Sequence, residues 1–98
     1  MLENNFQKKL IKEIKKRFPD AIVLKNDPKY IQGFPDLTVL YFGTYFILEC
    51  KKSKNAKREP NQSYYISKLA KMAHAAFVYP ENKEEVLHAM EKAFRAGR

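Results

Sequence analysis

Residues 33 to 52 read GFPDLTVLYFGTYFILECKK. Two runs rich in β-branched and aromatic residues, Asp36 to Phe42 and Tyr45 to Lys51, flank Gly43-Thr44 in the pattern of a β-hairpin. Glycine as the first of two central residues suits a type II′ turn. Phe42 would then pair with Tyr45, so that Thr38 faces Glu49 and Asp36 faces Lys51. Alternation along each strand puts Asp36, Glu49 and Lys51 on one side of the ribbon. Opposed Cβ atoms lie about 4.5–5.5 Å apart and diagonal ones about 7–8 Å, within reach of two flexible carboxylates converging on one ion. Cys50 points to the other face, where a small apolar side chain packs well.

Working outward, Leu2, Phe6, Leu10, Ile14 and Phe18 recur at spacings of four, which predicts an amphipathic helix ended by Pro19. Its lysines, including Lys8, Lys12 and Lys16, fall on the opposite face and read as solvated surface. Glu3 lies near the middle of the apolar stripe. It either meets a site inside the fold or complements the helix dipole at an exposed first turn. AIVLK at 21–25 predicts a short strand, and NDPKYIQGF at 26–34 a loop. A second helix is predicted from Pro60 or Asn61 to about Ala73, and a fourth strand over Ala75 to Tyr79. A third helix carries Val86, Leu87, Met90, Ala93 and Phe94 on its inner face, with Asn82 and Glu85 spaced as a capping box. The order αβββαβ followed by a C-terminal helix predicts an α/β fold, a mixed sheet flanked by helices, with the third and fourth strands parallel through the second helix. The 98 residues suit a single domain.

The net charge of +8 favours polyanionic partners, nucleic acid first, although a small lysine-rich protein can also be basic for solubility alone. No apolar run approaches the roughly 20 residues of a membrane span. The N-terminal stretch lacks the compact apolar region of a secretory leader, and the single cysteine, Cys50, excludes an intrachain disulfide. His74 and His88 have no partners at metal-ligand spacing and read as structural or solvent-facing.

Two acids and a lysine at one end of a hairpin suit phosphodiester chemistry. A Mg²⁺ ion takes one or two carboxylates and keeps other positions for water and phosphate oxygens, while lysine stabilises charge growing on the phosphate. A surface Asp-Lys-Glu pairing of little consequence is the alternative on geometry alone. Pro35-Asp36, a spacer, and then Glu49-Cys50-Lys51 resembles the motif of the PD-(D/E)XK nuclease superfamily, whose fold is restriction-endonuclease-like. GFPDL before the first acid, the basic loop after Lys51 and Gln62 opening the next helix are similar to the VRR-NUC and phage or archaeal Holliday-junction resolvase branches. The resemblance covers about residues 3 to 79.

The resemblance implies that Asp36 and Glu49 bind Mg²⁺ or Mn²⁺, with the backbone carbonyl of Cys50 and the carboxylate of Glu3 as further ligands. Lys51 is the implied catalytic lysine, and Gln62 matches a glutamine that supports such sites. Relatives with a Q-x-x-x-Y pattern carry tyrosine where this chain has Ile66; Tyr65 is one place early and inherits no role. Lys52, Lys54, Lys57 and Arg58, beside the site, are expected to contact the phosphate backbone. The activity implied is metal-dependent endonucleolytic cleavage of DNA, branched forms such as Holliday junctions in particular, by a homodimer in the cytoplasm of a prokaryotic or phage-infected cell. No membrane association or organic cofactor is expected. A non-catalytic basic nucleic-acid-binding domain, or a nuclease acting on linear duplex, flap DNA or RNA, are the alternatives.

Overall fold

The computed structural model describes residues 2–97. The elements are α1 (Glu3–Arg17), β1 (Ile22–Lys25), β2 (Leu37–Tyr41), β3 (Thr44–Cys50), α2 (Pro60–Ala70), β4 (His74–Val78) and α3 (Lys83–Ala96). This is the order expected; α1, β1, β2 and α2 are shorter by a residue or a few, while β3 and β4 each lie one residue earlier than expected. The strands form one mixed sheet in the order β1-β2-β3-β4, antiparallel across the first two pairs and parallel between β3 and β4.

The periodicities explain the layering. Phe6, Leu10, Ile14 and Phe18 from α1 and Val86, Leu87, Met90 and Phe94 from α3 form a single core with Leu37, Val39, Phe46, Leu48, Cys50 and Val78 of the sheet. Every second residue of β3 therefore faces α1 and α3, and the others, Ile47 and Glu49, face the side that α2 crosses. All five residues from Phe46 to Cys50 are buried because β3 is covered on both faces. By contrast α2 has no fully buried residue, and its apolar positions only shade the sheet. Among the described residues no helix is long and apolar enough to cross a membrane.

Two local expectations are corrected. The hairpin turn is Phe42-Gly43, with φ of 42° and 81°, so both central residues are left-handed as a type I′ turn requires. Glycine takes the second central position, Thr44 joins β3, and the twist of the turn matches that of the strands. Tyr41 consequently pairs with Thr44 and Thr38 with Ile47, in place of the pairings of Tyr45 with Phe42 and of Glu49 with Thr38. Moving the turn by one residue slides the register by two, which leaves every side chain on the face already assigned to it. Asn82 does precede α3, but its side chain does not cap the helix. Instead it accepts from the Tyr79 backbone N–H at 2.9 Å and donates to the Phe77 carbonyl at 3.1 Å, stitching the end of β4 to the turn before α3.

Candidate active site

The β2–β3 ladder ends with Leu37 opposite Leu48. One step further, the same register sets Asp36 across from Glu49, with Lys51 next along that face. The Asp36 carboxylate accepts the Cys50 backbone N–H at 2.9 Å, so the first acid is tied directly to the strand that carries the second. Its own backbone is held by Asn26, whose N–H donates to the Asp36 carbonyl at 2.8 Å and whose side-chain amide donates to the Pro35 carbonyl at 2.8 Å. Asn26 also exchanges hydrogen bonds with the Thr38 hydroxyl. Nothing in the loop sequence marks Asn26 for this task, since asparagine in a loop ordinarily signals a turn.

Among the described residues Glu49 and Lys51 are the two buried charged ones, 2% and 6% exposed. Gln62, in the first turn of α2, joins them. Its Oε1 accepts from Lys51 Nζ at 2.6 Å and from the Glu59 backbone N–H at 3.0 Å, while its Nε2 donates to Glu49 Oε2 at 2.9 Å. An amide is suited to this position because one end accepts from an ammonium while the other donates to a carboxylate. The Lys51 backbone N–H donates to the Val78 carbonyl at 2.8 Å, which extends the parallel pairing past the end of β3.

Burial, and then the charge of Asp36, push the Glu49 carboxyl up to about 8; Glu3 adds to the rise, and Lys51 and the Asp36 backbone N–H oppose it. The Asp36 carboxyl is also raised, chiefly by burial and further by Glu3, against the Cys50 N–H and Lys51. Glu3, half-buried at the start of α1, thus faces the same space as the hairpin acids. Three carboxylates around one lysine leave an excess of negative charge in a poorly solvated place, and a divalent cation would relieve it. The donors are hard oxygens, which suits Mg²⁺ or Mn²⁺. Among the described residues no three His, Cys, Asp or Glu side chains form a ready ligand cluster, so Asp36 and Glu49 are the pair that fits, with water and substrate oxygens for the remainder. The Cys50 side chain is fully buried in the core, where burial first and then nearby acids raise the thiol, so it offers no thiolate to a metal.

The basic loop is less uniform than its sequence implies. Lys52, Lys54, Lys57 and Arg58 are all exposed. Lys57 pairs loosely with Glu59 at 3.8 Å, and the Lys54 backbone N–H donates to Glu81 at 3.2 Å. The Arg58 guanidinium lies over the ring of Phe77, 4.0 Å from its centroid. Phe77 is the β4 partner of Glu49, so the guanidinium sits beside the acids on their own face of the sheet. Phe77 was not distinguishable in the sequence from any other strand aromatic; only the parallel register places it there.

Comparisons with protein-family models and with curated protein sequences return no match. Among solved structures, a "VRR_NUC domain protein" superposes with a TM-score of 0.74 over 99% of this chain and 91% of that one, at 18% identity. The chain has the VRR-NUC fold. That fold accounts for the three helices on a four-stranded mixed sheet and agrees with the restriction-endonuclease-like architecture expected from the element order. At this identity the likeness speaks for the VRR-NUC fold, and the roles of individual side chains rest on the geometry above.

Proposed function

We propose that the protein is a divalent-metal-dependent endonuclease that hydrolyses DNA phosphodiester bonds. The observation that carries this reading is the linked set Asp36, Glu49 and Lys51 on one sheet face, with Gln62 bonded to both Lys51 and Glu49. Asp36 and Glu49 would hold Mg²⁺ or Mn²⁺, with water and substrate oxygens completing the shell and Glu3 adding negative charge to the same space. The bound ion would supply Lewis-acid polarisation of the phosphate and a water acidic enough to act as nucleophile near neutral pH.

The chain's own residues account for the rest. Hydrolysis adds water across one P–O bond, and negative charge grows on the phosphate oxygens as it proceeds. Lys51, held at its ammonium by Gln62, supplies a fixed positive charge for those oxygens. Its place beside Asp36 and Glu49, bonded to Gln62, gives it electrostatic and positional work. Gln62 orients both partners without a charge of its own. Lys52, Lys54, Lys57 and Arg58 extend the positive surface along the phosphate backbone and bind without reading sequence.

Branched DNA cut by a homodimer is the substrate form we favour. A two-fold pair brings two sites to two strands, and a chain this small has little surface for reading bases. Ile22, Leu40 and Tyr45 lie side by side in register on the sheet face away from the core, 57%, 38% and 41% exposed, and offer an apolar surface to a second copy.

The test is incubation of the purified chain with labelled linear, flap and four-way-junction DNA in Mg²⁺, Mn²⁺ or EDTA, beside Asp36→Asn and Lys51→Ala. Metal-dependent cleavage that both substitutions abolish is the expected result. Undiminished cleavage by Asp36→Asn, or equal cleavage in EDTA, would sink the mechanism.

A further inference from the structure

Between β1 and the acid-bearing hairpin the chain builds a hollow that phosphodiester chemistry does not use. Its loop is held at several points. The Lys29 backbone N–H donates to Asp27 Oδ1 at 2.8 Å, and the Tyr30 N–H to the Asp27 carbonyl at 3.2 Å. Further on, the Phe34 N–H donates to the Ile31 carbonyl at 3.2 Å, and Gly33, at φ 83°, packs against Asn61 of α2. The ring of Phe34 meets Tyr65 edge-on with centroids 5.4 Å apart. Enclosed by this loop is a hollow of about 410 Å³ lined by Asn26, Asp27, Tyr30, Ile31 and Phe34. Tyr30 is 84% exposed, an unusual position for an aromatic side chain on a well-bonded loop.

The lining decides what class of ligand fits. Two aromatic rings and an isoleucine offer flat apolar surface, and Asp27 keeps one carboxylate oxygen beyond the one used in the turn. Among the described residues no cation lines the hollow although the chain carries a net charge of +8, so a phosphate is disfavoured there and a planar, uncharged hydrogen-bond donor is favoured. The amide of Asn26 is already engaged with Pro35 and Thr38, which leaves Asp27 as the polar contact. Position narrows the class further. Asn26, one wall of the hollow, donates its backbone N–H to the Asp36 carbonyl at 2.8 Å. A ligand lying there is next to the strand end that carries the first acid.

We infer that the hollow takes an unpaired DNA nucleobase close to the phosphate that is cut, stacked on Tyr30 and donating an N–H to Asp27. This deepens the nuclease reading and rests on it for the substrate. Stacking on an aromatic side chain tolerates any base, so the site selects for an unpaired nucleotide and against continuous duplex, where a base must first leave the helix. Branch points and flaps, which present such nucleotides, become the favoured targets.

The test measures binding of the full chain in EDTA to a paired duplex and to the same duplex carrying one unpaired 2-aminopurine. Wild type is expected to bind the second at least about fivefold more tightly, the low end of the range for one stacked base, and to quench its fluorescence. Tyr30→Ala should bring the two affinities within about twofold without weakening duplex binding, and Tyr30→Phe should keep the preference. Because Tyr30 is exposed, neither change disturbs the core. Equal affinities for wild type, or a preference undiminished in Tyr30→Ala, would overturn the inference. Cleavage is not read in this assay, so that outcome leaves the nuclease reading intact, while failure of the cleavage assay leaves this binding result standing.

Discussion

Replacing Glu49 with glutamine should stabilise the metal-free protein at alkaline pH and abolish its response to divalent metal. Glu49 is 2% exposed, and burial together with the Asp36 charge lifts its carboxyl from the ordinary 4.5 to about 8. The folded state therefore binds this proton more tightly than the unfolded state does. Its contribution to stability is fully present below about pH 4.5 and is lost as pH rises through about 8. At about 1.4 kcal/mol per pH unit, the interval between the two values corresponds to an upper bound of about 5 kcal/mol. Glutamine keeps the shape and can still accept from Gln62, but it does not ionise. In EDTA, urea denaturation should find Glu49→Gln close to wild type near about pH 5 and more stable by about 2–5 kcal/mol near about pH 9. Added Mg²⁺ should raise the Tm of wild type, since a ligand of the native state stabilises it, and should leave the variant's unchanged. If wild-type stability in EDTA stayed flat or rose between those pH values, Glu49 would not be the strained acid described above.

Gln62→Leu removes the acceptor of the buried Lys51 ammonium and should cost about 1–3 kcal/mol in urea denaturation, with at least about a tenfold loss in the cleavage rate. Gly33→Ala should destabilise by about 1–3 kcal/mol, because its φ of 83° disfavours a side chain and the added Cβ runs into Asn61. Gly43→Ala, at a similar φ of 81° but with open space around it, should cost less in the same measurement. Arg58→Met keeps an apolar contact on Phe77 and drops the charge. It should leave thermal stability unchanged while flattening the dependence of DNA affinity on log salt by about one unit.

The site was legible in the sequence to the extent that parity decides it. Asp36, Glu49 and Lys51 share a face under either placement of the turn, because a register that slides by two residues preserves the alternation. Gln62 came into view only through the resemblance, since a polar residue in a first helical turn is ordinary, and the apolar stripe of α1 left Glu3 open between a site and an exposed helix start. The turn itself was misplaced by one residue. A phenylalanine with φ of 42° runs against the usual preference of that conformation, and its ring packs edge-on to Tyr41 at 4.8 Å, a contact no local rule announces.

Local periodicity and steric preference, properties of neighbours along the chain, by themselves determined the element order, the buried faces and the side of the sheet on which the acids gather. Tertiary structure alone decided which distant groups meet that side. Asn26 anchors Asp36 and Arg58 lies on Phe77 because the β1–β2 and β3–β4 pairings bring their strands together. Glu49 becomes a strained acid only when α2 closes over it and withdraws it from water. That is a consequence of burial, and burial is a property of the assembled layers.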